Sequence, residues 1–336
     1  MYIRLYCLMS VGIMLTTSAQ ETIEHADLVI IGSGVAGLTA GIQAGRSSLK
    51  PLIIEGKNLG GGLSRAGVVG NWPGEISISG PELMEKMRTH AQKCGCQFVC
   101  AEITRVDLSS HPFSLWTDQN SVIKAKSVII ATGTDRKKLG CTGEESYLGK
   151  GVAVCSMCDG PLFEKKQVIV IGGGNAALYE ALSLLKFTDH ITIIDHRHQL
   201  TASPQLEKKV RSKPTISILL DTQVDEIFGD GTQVTGISIT NLKTQKSSKI
   251  AADGVFIAIG MSPCSQAFNG IQRDANGYIK VKNFTKTSVD GVFAAGNVCN
   301  HSYKQATAAA GTGCMAAIDA ERFLKKVAPN PQQSKK

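Results

Sequence analysis

Short apolar runs separated by glycine-rich breaks dominate the chain. Asp27-Leu-Val-Ile-Ile31 is rich in β-branched residues and predicts a buried strand. The stretch 38–46 is rich in alanine and glycine and predicts a helix, and Pro51-Leu-Ile-Ile-Glu55 predicts a second strand that ends on an acid. The same order returns later. Gln167-Val-Ile-Val-Ile171 predicts a strand, 178–187 a helix and Ile191-Thr-Ile-Ile194 the next strand. Further short strands are expected over 127–131, 254–259 and 291–295, with a helix over 305–324 whose first turns are mostly alanine and glycine. Strand, helix and strand in succession, twice, predict an α/β fold with two Rossmann-like dinucleotide-binding domains.

The breaks carry the first chemistry. After the first strand stands Gly32-Ser33-Gly34-Val35-Ala36-Gly37. Gly32 permits the tight turn, Gly34 admits a pyrophosphate to the backbone, and Gly37 lets helix and strand pack closely. The helix N-terminus faces the phosphate charge. Glu55 lies where a carboxylate accepts both hydroxyls of an adenosine ribose. After the second unit's first strand comes Gly172-Gly173-Gly174-Asn175-Ala176-Ala177, with alanine for the third glycine, as the pattern allows. A tight strand-to-helix turn without a ligand is the plainer reading of either loop. Two full units in one chain instead imply two dinucleotides, here FAD and NAD(P)H.

Cys155-Ser156-Met157-Cys158-Asp159 supplies the second chemistry. A two-residue spacer puts both sulfurs on one side of a helix's first turn, where a reversible disulfide can form and a thiolate is favoured. Asp159 follows as a candidate proton donor or acceptor. Half of a zinc site is the structural alternative; it needs two more ligands. Cys94, Cys96 and Cys100 are the only clustered candidates, irregularly spaced and in the other domain, and no metal site is expected. A dithiol, a flavin site and a nicotinamide site form one electron path: hydride in, dithiol out.

Composition adds bounds. With 336 residues and 43% hydrophobic content, two folded domains are expected. The net charge of +8 comes without a basic and aromatic stripe, so no nucleic-acid partner is expected. Residues 1–21 carry Arg4, an apolar stretch and small residues near Ala19, which is a signal-like leader too short to span as a mature membrane helix. The ten cysteines are scattered mostly singly in core segments, unlike a secreted disulfide framework. The reductant pool is cytosolic, so the chain is assigned to the cytoplasm, with export as the alternative if the leader is cleaved.

The sequence closely resembles the low-molecular-weight thioredoxin reductases, class II of the pyridine nucleotide-disulfide oxidoreductases. The likeness rests on Gly32-Ser-Gly34-Val-Ala-Gly37, Asn71-Trp72-Pro73-Gly74, Ala131-Thr132-Gly133, Cys155-Ser-Met-Cys158-Asp159-Gly160 and the run from Gly291 to Ala317. It covers nearly the whole chain after the leader. The resemblance implies that an NAD(P)H domain with the cysteine pair, placed at 138–259, interrupts a discontinuous FAD domain at 22–137 and 260–326, ahead of a basic tail at 327–336. It implies a homodimer whose smaller domain rotates, so that the flavin meets the cysteines and the nicotinamide in turn. Cys158 would face the flavin, Cys155 would attack the thioredoxin disulfide, and Asp159 would be the acid–base group. FAD would be held by Gly32, Ser33, Gly34, Ala36, Gly37, Glu55, Gly56, Gly61, Gly62, Leu63, Asn71, Ala131, Thr132, Gly133, Gly296, Asn297, Lys304, Gln305 and Ala306. NADPH, or NADH, would be held by Gly172, Gly174, Asn175, Ala176, Asp195, His196 and Arg197. The implied activity is thioredoxin-disulfide reduction in cell redox homeostasis.

Several positions depart from the family pattern. Asp195-His196-Arg197 stands where the family commonly has His-Arg-Arg, and Thr201 replaces a later arginine. Arginines there clamp the 2′-phosphate of NADPH, whereas an acid accepts a ribose hydroxyl and repels a phosphate. NADH therefore stands beside NADPH as the expected reductant. Asn297 replaces an aspartate at the ribityl chain, Val35 a proline, and Gly62 a glutamine at the flavin edge. Three other functions use the same parts: reduction of a different disulfide carrier, a ferredoxin-linked reductase, and a flavin-binding redox sensor.

Overall fold

The computed structural model describes residues 22–328. The leader at 1–21 and the tail beyond residue 328 lie outside the described residues. The chain opens with β1 (Thr22–Ile31), α1 (Val35–Arg46), β2 (Leu52–Ile54), β3 (Val68–Val69), β4 (Ile78–Ser79) and α2 (Gly80–Lys93). β5 (Gln97–Val99), β6 (Ile103–Asp107), β7 (Phe113–Thr117), β8 (Ser121–Ile130) and β9 (Thr134–Arg136) follow. Next come β10 (Val152–Ala153), α3 (Ser156–Asp159), β11 (Gln167–Ile171), α4 (Asn175–Leu184), β12 (His190–Ile194), α5 (Pro204–Arg211) and β13 (Ile216–Leu219). The chain continues through β14 (Thr222–Gly229), β15 (Val234–Asn241), β16 (Ser247–Ala251) and β17 (Gly254–Ile257), then β18 (Met261–Pro263), β19 (Val292–Ala294) and α6 (Ala306–Val327).

Two Rossmann-type domains result, one inserted in the other. The outer domain has a seven-stranded sheet in the order β5-β2-β1-β8-β7-β6, with β19 also on β8. On its edge away from β1, β8 serves two partners because it is long: its first half pairs antiparallel with β7, and its second half pairs parallel with β19. The strand that completes this sheet is thus supplied only after the insertion. Alternate residues of β1 go to opposite faces. Leu28 and Ile30 meet α1, α2 and α6, while Val29 and Ile31 enter a second core on the far side. Burial on both faces explains why these strands read as continuous apolar runs.

The inserted domain repeats the design with a five-stranded parallel sheet, β10-β17-β11-β12-β13. Val168 and Val170 pack under α4 and α5. Ile169 and Ile171 are covered instead by Val224, Ile237 and Ile239 of the antiparallel sheet β14-β15-β16. A two-stranded ribbon joins the domains, with Thr134 opposite Pro263 and Arg136 opposite Met261.

Some element bounds differ from the expected ones. β1 begins at Thr22, five residues ahead of the apolar run, because 22–26 pair in register with 121–125 of β8. Its polar residues Glu24 and His25 hide that half from a search for apolar runs. α1 and α4 begin at Val35 and Asn175, within the glycine loops, with Gly34 and Gly174 as extended N-caps. Small residues in a first turn give no amphipathic period. α4 stops at Leu184, short of the expected Phe187.

Candidate active site

At the carboxyl end of the outer sheet, the segments singled out from sequence converge. Gly32 has φ +110°, and a Cβ there would lie 2.5 Å from the Ala131 carbonyl oxygen. A Cβ on Gly37 would sit 1.8 Å from the Gly32 carbonyl oxygen, so α1 can reach β1 only through a glycine. The Gly60–Gly62 turn crosses the start of α1, where a Cβ on Gly61 would be 3.1 Å from the Gly34 Cα. The Ser33 hydroxyl accepts the Gly60 amide at 3.2 Å and donates to the Glu55 carbonyl at 3.3 Å, locking turn, loop and β2 together.

The return segment closes the other side. Gly296, with φ +73°, packs on Ala36, and its amide donates to the Thr312 hydroxyl of α6 at 2.9 Å. Gly313 of α6 touches the backbone of Ala36, which explains the small residues of that helix. Asn71 donates to Gln305 at 2.9 Å, just before Ala306 opens α6. Thr132 donates to the Cys264 carbonyl at 2.6 Å. Asn297 lies in the single turn Gly296–Val298, Leu63 packs against the core beside α2, and Lys304 is exposed in the loop before α6. Gly56 is half-buried just past the end of β2.

This cluster fits a dinucleotide. A Cβ on Gly62 or Gly133 would meet nothing within 4 Å, and one on Gly34 only the Gly61 Cα at 3.9 Å. The loops thus present a wall of bare backbone at the N-terminus of α1, the surface a pyrophosphate needs. Glu55 is only 6% exposed and has a partner that sequence reading missed. Arg88 of α2 donates to both its oxygens, Nε to Oε1 at 3.0 Å and Nη2 to Oε2 at 3.2 Å, while stacking over Phe98 at 4.5 Å. Each carboxylate oxygen keeps a free lone pair for a ribose hydroxyl.

The inserted domain holds the second loop in the same way. Gly172 has φ +127° beside the Ala258 carbonyl. Gly174 caps α4, and Asn175 accepts the Ser203 amide at 2.7 Å. Ala176 is exposed in the first turn of α4. Asp195, at the end of β12, is 2% exposed and turned toward this loop: a Cβ on Gly173 would be 2.3 Å from its Oδ2. Arg197 folds back on it. Its backbone amide and Nε donate to Oδ1 at 2.8 and 3.0 Å, its Nη2 donates to Oδ2 at 3.2 Å, and its Nη1 reaches Thr201 at 3.2 Å. His196 keeps its side chain 66% exposed, with Nδ1 3.6 Å from Asp195 Oδ1.

Cys155 and Cys158 form a disulfide, with Cα atoms 5.4 Å apart. Cys155 is the N-cap of α3, and Cys158 lies in that helix. α3 touches α4 on its own domain and β3 of the outer domain, so the disulfide sits at the junction of the two domains. Burial and the nearby Glu180 carboxylate push Asp159 up to about 6. The other described cysteines are in ordinary or buried settings. Burial pushes Cys96 and Cys299 up to about 12 and Cys264 to about 11, far from thiolates at neutral pH. Among the described residues, no group of His, Cys, Asp or Glu is arranged to hold a metal, and no helix is long and apolar enough to cross a membrane.

A disulfide between two dinucleotide cradles is a redox arrangement, and comparison places it. The profile of the pyridine nucleotide-disulphide oxidoreductases matches residues 26–313. The chain belongs to this family. It is 43% identical over 312 residues to the thioredoxin reductase of Coxiella burnetii, covering 90% of this chain and 97% of that one. Among solved structures, thioredoxin reductase from Streptococcus pyogenes superposes with a TM-score of 0.86 at 34% identity, over 90% of this chain and 99% of that one. The Lactococcus lactis thioredoxin reductase in its FR conformation is also 34% identical, over 90% and 100%, yet reaches only 0.62. Like other members of the family, this chain is an oxidoreductase that uses a flavin and a pyridine nucleotide.

Proposed function

We propose that the chain is a thioredoxin reductase, with FAD as its flavin and thioredoxin as its disulfide substrate. The observation that carries this reading is the Cys155–Cys158 disulfide on α3, wedged between its own nucleotide domain and the outer domain. Bound FAD supplies the two-electron relay between reduced nicotinamide and disulfide. The outer-domain loops would hold its pyrophosphate, Glu55 its ribose, and Asn297 with Gln305 and Ala306 the flavin end. Cys158 would be the sulfur that takes electrons from the flavin, and Cys155 the sulfur that attacks thioredoxin. Two electrons and two protons convert the pair to a dithiol. Cys155 then forms a mixed disulfide, Cys158 displaces the reduced thioredoxin, and Asp159 carries the proton to and from the thiolate.

The nucleotide site supports use of both NADPH and NADH. Asp195 is positioned to accept a ribose hydroxyl, and the Arg197 guanidinium can meet a 2′-phosphate only by leaving its two bonds to that carboxylate. This tension weakens discrimination in either direction. The two homologues at equal identity but unequal superposition support a smaller domain that turns against the larger. The enzyme is placed in the cytoplasm as a homodimer, where reduced nucleotides are available. A mature N-terminus at Gln20, read by mass spectrometry, would move it to an exported compartment.

The test is steady-state reduction of a thioredoxin disulfide by the purified protein, run with NADPH and with NADH. Turnover with both, at kcat/KM values within about thirtyfold, is expected. Flavin bleaching without thioredoxin turnover would show that the acceptor is another carrier. No bleaching by either nucleotide would overturn the electron path.

A further inference from the structure

Glu180 plays no part in the scheme above, yet it reaches the redox helix. It sits on α4, six residues past Gly174, and its Oε2 accepts the backbone amide of Ser156 at 2.6 Å. Ser156 is the first residue of α3, directly after Cys155, and is 1% exposed. Cys155 offers that helix no side-chain cap, while the Cys158 and Asp159 amides already bond the Cys155 carbonyl at 3.2 and 3.0 Å. The carboxylate therefore does for this short helix what an N-cap side chain does elsewhere.

Its charge has a second consequence. A fixed negative group at the start of α3 opposes the positive end of the helix, and it disfavours a thiolate formed there. α5, which packs on α4, carries Lys208, Lys209 and an Arg211 paired with Glu207, but the elements against α3 itself, α4 apart, are uncharged. β3 contributes Val68 and Val69, and the turn after α3 contributes Gly160, Pro161, Leu162 and Phe163, none of them titratable. On α4 the adjacent Tyr179 is 62% exposed. Asp159, held mostly protonated at low pH by burial and by this same neighbour, is the other carboxyl group at the pair.

We infer that Glu180 is a positioning residue for disulfide exchange: it anchors the first turn of the redox helix and, by its charge, holds the Cys155/Cys158 pair toward the disulfide and the protonated thiol rather than the thiolate. The pair is thereby kept a stronger reductant. This inference rests on the reductase reading for its use, but its central property belongs to the chain alone.

Glu180→Gln keeps the side chain's shape and an acceptor oxygen for Ser156 while removing the charge. The purified flavoprotein is equilibrated with mixtures of reduced and oxidised dithiothreitol, then alkylated, and the dithiol fraction is read by mass. At pH about 9, where the parent thiol is largely ionised, the proposal expects the E180Q equilibrium to shift toward the dithiol by about threefold to tenfold, the larger figure being about 30 mV for a two-electron couple. The exchange rate should also keep its acid limb to a lower pH than in the parent. An unchanged equilibrium and pH profile in a folded E180Q protein would leave only a structural role and overturn the inference. A second readout needs no variant. In the reduced parent protein, the alkylation rate of Cys155 should be half-maximal at or above pH about 8.5, the value of an ordinary thiol; half-maximal alkylation below pH about 7 would also overturn it. Neither assay uses thioredoxin or nucleotide, so failure of the reductase reading would show separately, as absent turnover in the parent protein.

Discussion

Asp195→Asn should convert a nucleotide site of weak preference into one that favours NADPH. In the parent protein the carboxylate is 2% exposed and faces the Gly172–Gly174 loop, and it holds the Arg197 side chain by two bonds at 3.0 and 3.2 Å. A 2′-phosphate on the adenosine ribose would meet this charge. At about 6 Å and an effective dielectric of about 20, each unit of phosphate charge is repelled by about 3 kcal/mol. Arg197 is half exposed and offsets part of that, leaving about 1–2 kcal/mol. The amide removes the repulsion and breaks the fork, because its NH2 group cannot accept from a guanidinium. Arg197 is then free to pair with phosphate. For NADH the change works the other way, since a hydroxyl loses a charged acceptor for a neutral one. The ratio of kcat/KM for NADPH over NADH should rise at least about tenfold. It is read in steady state with saturating thioredoxin. A ratio that moves less than threefold would refute the placement of Asp195 on the ribose. A parent enzyme that already prefers NADPH more than a hundredfold would refute the sequestration of Arg197.

Cys155→Ser should abolish thioredoxin turnover while nucleotide still bleaches the flavin at the parent rate; stopped-flow absorbance separates the two. Gly37→Ala should yield protein that has lost its flavin on purification and melts several degrees lower, because the new Cβ would stand 1.8 Å from the Gly32 carbonyl oxygen with only backbone to give way. The exchange step should carry an alkaline-side limb near pH 6 from Asp159, whose carboxyl is raised to about 6. Its protonated form falls away as pH rises through that value, so the single-turnover rate should drop above pH 6, and Asp159→Asn should remove the limb. The sign for stability is the same. The folded protein holds this proton more tightly than the unfolded chain does, so the contribution is full below the ordinary carboxyl range and lost as pH rises past about 6.

What the sequence made legible follows from which contacts are local. Each glycine loop lies between a strand and a helix that it joins directly, so Gly32, Gly37 and Gly172 could be placed from spacing alone. The disulfide was equally local, three residues apart on one turn. The residues missed are those that reach a site from another element. Arg88 meets Glu55 across 33 positions, and Glu180 meets Ser156 across 24. Neither stands in a motif, and each reads as an ordinary charge on an amphipathic helix. Asp195 was singled out, but its direction was not readable; whether it faced the loop or solvent depended on the packing of β12 beside Gly173. The antiparallel sheet β14-β15-β16 was missed for a different reason. Its one buried face gives short alternating segments such as Thr222–Gly229, which carry less apolar signal than strands buried on both sides.

The placement of α3 also constrains how the electron path can work. The disulfide and the second nucleotide cradle lie in the same domain, on α3 and at the start of α4, and α3 is the element that touches β3 of the outer domain. A flavin held by the outer domain has one reacting centre. On the proposed reading, an arrangement that brings the disulfide to that centre would leave the Gly172–Gly174 cradle elsewhere, and the two transfers would need two domain orientations. Relief has to come from the joint. The domains are linked by the ribbon of Thr134–Arg136 and Met261–Pro263, flanked by Gly133, Gly140 and Gly260 at φ +67°, +80° and +109°. Those conformations cost a glycine little, so torsion changes can concentrate there. The ribbon itself is tied on the inserted side, where Arg136 pairs with Glu144 and Glu145. On its outer side Thr132 donates to the Cys264 carbonyl and the Cys264 amide bonds the Gly133 carbonyl, so on the proposed reading Gly133 and Gly260 are the positions where a turn of the smaller domain would be absorbed.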